Sequence, residues 1–552
     1  MRCWHFFLLA ALLLAPVTHA QVLAEGCTTG VVRTGSGPVC GHGVVASTGA
    51  PVNAFLGIPY AASTAGAARW TPPRAPQAWQ QPRAALRFGP SCPQTLLPTA
   101  SAAAAEDGDG KHHGTRAPVR QPAPESAPGE DEDCLSINVW APPDAAPGSA
   151  LPVMAFIHGG AFVSGGSADP LYDGSALAAK GVLVVSFNYR LGVLGFLAAR
   201  GMTGNYGLRD QQAALRWVRD NIAGFGGDPA RVTLFGHSAG AMSVGLHLQS
   251  APASRPLFRA AIMQSNFLGL PYQRLAEAHA VGDMFRLALG CADLACLRRA
   301  GVQELLALQA AYPPQLAEVL PSAQFFVPFG PVLDGQVLDR QPTPARLRKP
   351  VLLGTVRDEM VAFYSGRQAP PVHVITQAAA LYGRAFERVL ARYPLQPGND
   401  NWLPWARMQT DSMLACSTRH VALRSQAAVH LYRFDHSPTF PVWGGPPCAG
   451  GGYACHSAEL AFVVHATGSP GVRFDAAEEQ LSQEMMDAWT NFARSLDPNG
   501  ATAVPAAWPR FNPDRRSYRI FDTGAPKVAQ DPLGETCSLW DEVGYTLTDP
   551  WR

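Results

Sequence analysis

Short apolar runs that end in glycines or polar turns set the rhythm of this chain. CLSINVW (134–140), LPVMAFIHGG (151–160), GVLVVSFNYR (181–190) and RVTLF (231–235) read as strands, rich in Val, Ile, Leu and Phe. KPVLLGTVRDEMVAFY (349–364) and AVHLYRFDHS (428–437) repeat the strand-then-turn pattern. Between strands the period changes. In GLRDQQAALRWVRDNIAGF, Leu208, Leu215, Val218 and Ile222 recur near helical spacing, and Gly224 follows where the pattern ends. AGAMSVGLHLQS after RVTLF also reads as a helix. Strand, helix, strand, turn, helix predicts an α/β fold, with a mostly parallel central sheet covered by helices on both faces.

Residues 272–320 and 371–426 read as predominantly helical excursions. Residues 98–131 carry no apolar periodicity and many Ala, Pro, Gly and charged positions, so a mobile insertion is expected there. His112 and His113 fall in it without a cysteine or carboxylate at ligand spacing, which favours a solvated loop over a metal site. Length alone would suggest about three or four domains. With no internal repeat and no clear linker, the expectation is one large domain over 21–552.

The first twenty residues, MRCWHFFLLAALLLAPVTHA, have an early arginine, an apolar stretch and small residues ending at Ala20. That is the layout of a secretory signal peptide, cleaved after Ala20 or, as second choice, after Ala24. No later apolar run is long enough to span a membrane, so no stable membrane insertion is expected. Removing Cys3 with the leader leaves ten of the eleven cysteines, an even number, for which pairing is the default in an exported protein. The absence of any Asn-x-Ser/Thr sequon fits a bacterial exported protein, periplasmic or secreted. A net charge of +1 gives no reason to expect nucleic acid as partner, and points to a small, largely uncharged ligand.

In RVTLFGHSAGA (231–241) one serine sits between two glycines, directly after a strand and before a helix. A serine on such a tight turn projects its hydroxyl above the sheet edge, and the glycines remove clashes that Cβ atoms would create. That context sets Ser238 apart from an ordinary serine in a glycine-rich turn. A serine nucleophile needs a base, an orienting acid and donors for the developing oxyanion. IHGGAF (157–162) supplies glycine-rich backbone N–H groups at a strand end, and each such donor is commonly worth about 3–4 kcal/mol in the transition state. Taken by itself, VRDEMVAF places one of two acids, Asp358 or Glu359, just beyond a strand. Six histidines follow it: His373, His420, His430, His436, His456 and His465.

These stretches resemble the type-B carboxylesterase/lipase family of α/β-hydrolases, which also contains the cholinesterases. The resemblance rests on FLGIPYA (55–61), EDCLSINVW (132–140), IHGGAF, SFNYRLGVLGFL (186–197) and the run GNYGLRDQQAALRWVRDNIAGFGGDPARVTLFGHSAG (204–240). PVLDG (331–335), PVLLGTVRDE (350–359), HSAELAFV (456–463) and WTNFARSLDPNG (489–500) continue it in order over nearly the whole mature chain. It implies the α/β-hydrolase fold and ester hydrolysis through an acyl-enzyme on Ser238. Glu359 would be the acid (Asp358 the fallback) and His456 the base. The N–H groups of Gly160, Ala161 and Ala239 would form the oxyanion hole. Neither metal nor organic cofactor is required.

The resemblance also pairs cysteines: Cys92–Cys134, Cys291–Cys296 and Cys416–Cys537. Elimination and nearness then leave Cys27–Cys40 and Cys448–Cys455. The chain departs from the family at three positions: His237 stands where an acid is usual, and Ala161 and Met360 where glycines are. An alanine keeps the N–H at 161 unless the backbone demands positive φ, in which case the loop is strained. Without the acid at 237, and without an aromatic site for a cation, neutral esters are expected over choline esters. Phe162, Phe267, Phe325, Phe326 and Phe329, with His237, are candidates for the substrate pocket.

The reading that follows is a carboxylesterase acting on neutral esters of small to medium acyl chain. A lipase or polyester hydrolase with the insertion as its lid is a second reading. A non-catalytic adhesion or binding protein on the same fold is a third, opposed by the intact set of Ser238, Glu359 and His456.

Overall fold

The computed structural model describes residues 24–95, 129–311, 329–342, 347–398, 400–441, 447–500, 502 and 504–545. The expected leader, His112 and His113, Phe325 and Phe326, and the insertion up to residue 128 lie outside the described residues.

Eleven strands form one sheet. In chain order they are β1 (His42–Val45), β2 (Pro51–Pro59), β3 (Ser136–Ala141), β4 (Leu151–Ile157), β5 (Leu183–Phe187), β6 (Gly227–His237), β7 (Ala260–Gln264), β8 (Val351–Val356), β9 (Val429–Phe434), β10 (Ser517–Phe521) and β11 (Lys527–Gln530). Across the sheet the order is β11-β10-β9-β8-β7-β6-β4-β5-β3-β2-β1. Every pairing from β10 through to β5 is parallel. At one edge β11 joins antiparallel, and at the other β3, β2 and β1 do. The sheet is therefore mixed, with the expected parallel arrangement confined to its centre.

β4 and β5 show why the centre is parallel. Nearly all of their residues are buried and apolar, as in strands covered on both faces. Val153, Ala155 and Ile157 join one hydrophobic cluster, while Met154 and Phe156 join the other, following the two-residue alternation of a strand. Helix α1 (Tyr206–Asn221) and helix α2 (Ala239–Gln249) cover the first face, through residues such as Leu208, Leu215, Met242 and Val244. Helix α3 (Ala476–Ser495) covers the second with Leu481, Met485, Met486 and Trp489. All of α2 is buried, so its sequence shows no polar stripe.

The helical excursions fall where expected. Leu275–Ala288, Leu294–Arg299 and Val302–Ala310 form one group. Pro371–Tyr382, Phe386–Arg392, Trp402–Thr410 and Cys416–Leu423 form the other. Disulfides join Cys27–Cys40, Cys92–Cys134, Cys291–Cys296, Cys416–Cys537 and Cys448–Cys455. The second closes the base of the insertion, where Ser91 N–H donates to Gly129 O and Asp131 N–H to Ser91 O. A buried ion pair fastens the exit of β5 to α1. Asp210 accepts from the Arg190 backbone N–H at 3.1 Å and from its guanidinium at 2.8 Å through both oxygens.

Candidate active site

β6 ends at His237, and α2 begins at Ala239. The residue between them, Ser238, has φ 55° and ψ −126°, a conformation that L-residues adopt only under constraint. The glycines around it explain how this elbow is tolerated. A Cβ at Gly240 would strike the Ile157 carbonyl, and one at Gly236 would come within 2.8 Å of the same oxygen. The turn thus packs directly against the end of β4, and only glycine fits at either position. Ser238 N–H donates to Gln264 O on β7 at 3.0 Å, which fixes the elbow to the neighbouring strand.

The acid and the base arrive from two other strand ends. Glu359 follows β8 and is fully buried. Its Oε1 accepts from the Val356 N–H at 2.9 Å, and its Oε2 lies 2.5 Å from His456 Nδ1. A carboxylate can only accept, so Nδ1 carries a proton, and Nε2 is the nitrogen left to exchange one with a substrate. Asp358 is engaged differently. Its Oδ2 takes the Ala454 N–H at 3.0 Å and the Arg357 Nε–H at 2.8 Å, anchoring the segment that leads to His456. Geometry thus separates the two acids that the sequence left as neighbours. Met360, where a glycine is usual, has φ −89° and donates its N–H to Thr410, so nothing there requires glycine.

Of the other five histidines, four are engaged elsewhere. His373 is exposed. His420 pairs with Asp541, His436 with Glu478 and His465 with Glu479. His430 packs edge-on against Trp508 and Phe492.

The loop after β4 turns on three successive positive φ values: Gly160 at 109°, Ala161 at 52° and Phe162 at 64°. A Cβ at Gly160 would strike the Ser164 carbonyl. Ala161 therefore does occupy the left-handed region, and the loop stores strain that a glycine would not. Val163 and Ser164 donate their N–H groups to Gly160 O and close the turn. Gly159 brings this loop against the elbow, since a Cβ there would lie 3.2 Å from Ser238 Cβ. Ala239, as the first residue of α2, has an N–H without an acceptor inside the helix. Beneath the loop, buried His158 has its Nδ1 2.8 Å from Gly159 O and stacks on Tyr189 at 4.4 Å; burial lowers its pKa to about 4.

Aromatic rings flank the base. His237 lies 4.6 Å from His456 between ring centroids, Phe267 5.5 Å and Phe363 5.4 Å. Phe363, just beyond the VRDEM stretch, was not among the sequence candidates. Phe162 packs edge-on against Phe196 at 5.3 Å, and Phe329 against Phe285 at 5.1 Å. Burial, and then the charge His456 can carry, hold His237 well below the usual histidine range.

A second acid was also missed. Glu459, three residues after His456 across a turn in which Ser457 has φ 75°, is fully buried, and its Oε1 lies 3.4 Å from Gln264 Nε2. Burial, and next the negative charge of Glu359, push its pKa up to about 8. Glu459 therefore keeps its proton at neutral pH and adds no second negative charge beside Glu359. Its sequence signal was only its place in HSAEL, three residues after His456.

The model of the carboxylesterase family matches residues 28–540. The chain belongs to the carboxylesterase family. It is a carboxylic-ester hydrolase with the α/β-hydrolase fold. The enzyme is 38% identical to the fumonisin B1 esterase of Sphingopyxis macrogoltabida over 522 residues, covering 89% of this chain and 87% of that protein. It is 35% identical to the cocaine esterase of Oryctolagus cuniculus over 543 residues, covering 92% and 94%. Among solved structures, a thermophilic PNB esterase superposes with a TM-score of 0.76 at 31% identity, covering 92% of this chain and 99% of that one. The carboxylesterase of Geobacillus stearothermophilus does so with a TM-score of 0.73 at 33% identity and the same coverage. Among the described residues no helix is long and apolar enough to cross a membrane.

Proposed function

We propose that Ser238, Glu359 and His456 are the catalytic triad of a serine esterase acting on uncharged esters of small to medium acyl chain. The observation that carries this reading is the 2.5 Å contact between His456 Nδ1 and Glu359 Oε2, made beside a serine held at φ 55°. In the first step His456 Nε2 takes the Ser238 proton as the hydroxyl attacks the ester carbonyl. The N–H groups of Gly160, Ala161 and Ala239 hold the oxyanion. His456 then hands the proton to the departing alcohol, and water releases the acid by the same steps. Glu359 fixes the tautomer of His456 and stabilises its charged form. Phe267 and Phe363 keep the base in apolar surroundings.

Hydrolysis of p-nitrophenyl esters from acetate to palmitate by the enzyme and by Ser238→Ala tests this. The reading expects activity greatest on short and medium chains and lost in the variant. Activity that survives Ser238→Ala would refute the nucleophile, and a maximum at palmitate would favour a lipase. The same reading makes the protein an exported one: the N-terminal sequence has a signal-peptide layout, and five disulfides suit an oxidising compartment. Sequencing the N-terminus of the mature protein should place it just after Ala20 or Ala24.

A further inference from the structure

His237 is the last residue of β6 and the immediate neighbour of Ser238. Its ring is buried, with 2% of the residue exposed, and tilts at 44° against the ring of His456. On another side it meets the oxyanion loop, where a Cβ at Gly159 would come 3.4 Å from His237 Nδ1. The imidazole is thus wedged between the loop and the base. Among the described residues its Nε2 has no hydrogen-bond partner.

A buried nitrogen without a partner is costly to the free enzyme, and a ligand that supplies the partner recovers that cost. The position of the ring says which part of a substrate could do so. The departing alcohol oxygen must come within hydrogen-bond reach of His456 to receive its proton. A ring packed beside His456 therefore flanks the alcohol half of the ester, not the far end of the acyl chain. Its chemistry says what that half should carry. A neutral imidazole offers one N–H and one lone pair, and a hydroxyl can meet either, whichever tautomer His237 adopts. A cation beside it meets an imidazole held neutral by burial where the family usually has an acid.

We propose that His237 is a specificity-determining residue that selects esters whose alcohol half carries a free hydroxyl close to the ester oxygen. This rests on the Ser238–His456 reading and names the alcohol class for that same site. A site built to hydrogen-bond a substrate hydroxyl rejects the analogue that lacks it.

The test compares kcat/KM for 2-hydroxyethyl butyrate, its isostere propyl butyrate, and butyrylcholine, in the wild type, His237→Phe and His237→Gln. Phenylalanine keeps a flat ring against His456 and removes both nitrogens. The wild type should favour the hydroxyethyl ester over the propyl ester by about ten-fold or more, with butyrylcholine the poorest. In His237→Phe the ratio should fall to within about two-fold, and in His237→Gln, which keeps a donor and an acceptor, it should stay between the two. A wild-type ratio near one overturns the proposal, as does a ratio that survives in His237→Phe. If that variant does not fold, the wild-type and His237→Gln ratios decide. A general loss of packing would slow both isosteric esters together and leave their ratio unchanged. Failure of the wild type on p-nitrophenyl butyrate as well would instead remove the triad reading beneath it.

Discussion

Glu359 divides its two oxygens between different partners: Oε1 takes the Val356 N–H at 2.9 Å, and Oε2 meets His456 Nδ1 at 2.5 Å. The backbone contact fixes the carboxylate, so the imidazole is oriented by a group that is itself held. A glutamine at 359 keeps the volume but can present its NH2 where an acceptor is needed. Glu359→Gln should fold normally and lose about 10⁴-fold in kcat on p-nitrophenyl butyrate. A loss below about ten-fold would show that Glu359 does not orient the base.

Glu459 predicts how stability changes with pH. Its folded pKa of about 8 lies above its ordinary 4.5, so its contribution is fully present below pH ~4.5 and is lost as pH rises towards ~8. Glu459→Gln removes that dependence. Urea unfolding from pH 5 to 8.5 should show the wild type losing stability relative to the variant as pH rises, by up to about 1.4 kcal/mol per pH unit. Parallel curves for the two proteins would refute the assignment.

Ala161 carries left-handed backbone strain at the oxyanion loop. Ala161→Gly should relieve it, raising stability by on the order of 1 kcal/mol or less, since glycine's greater freedom in the unfolded chain offsets part of the gain. Activity should be maintained or increased. A fall in Tm together with kcat would mean that the methyl group, not the strain, matters there.

The Arg190–Asp210 pair is nearly sealed from solvent, with 4% and 0% of the side chains exposed. Removing the acid strands a buried guanidinium. Asp210→Asn should cost about 3–5 kcal/mol, read as a lower urea midpoint.

Cys448–Cys455 closes a loop of sequence separation 7 immediately before His456, and the backbone at Cys455 pairs with that at Asp358 as parallel strands do. If the loop positions the base, Cys448→Ser/Cys455→Ser should lower kcat by about ten-fold or more, because small misplacements are amplified at a reacting centre. Full activity in a folded variant would assign the bridge to stability alone.

The chain's own pattern determined a good deal. Buried strands β4, β5 and β8 announced themselves as apolar runs rich in Val, Ile and Leu because both of their faces are covered. The elbow was legible because the close approach of α2 to Ile157 permits only glycine at 236 and 240. The edge strands were not legible. β1 alternates half-buried with exposed residues, and β11 is mostly exposed, so neither shows an apolar run. β3 was legible as a strand, since it is buried throughout, but its antiparallel direction is set by its partners across the sheet and leaves no mark in its own residues.

The site shows the same boundary. Sequence put Asp358 and Glu359 side by side, but successive residues point in different directions, and only the fold sends one to His456 and the other to Ala454. The proton on Glu459 and the neutral state of His237 likewise depend on burial and on charges distant in sequence. Local pattern fixes which residues can do chemistry. Desolvation and proximity, which exist only once the chain has folded, decide which of them carry a proton and which face one another.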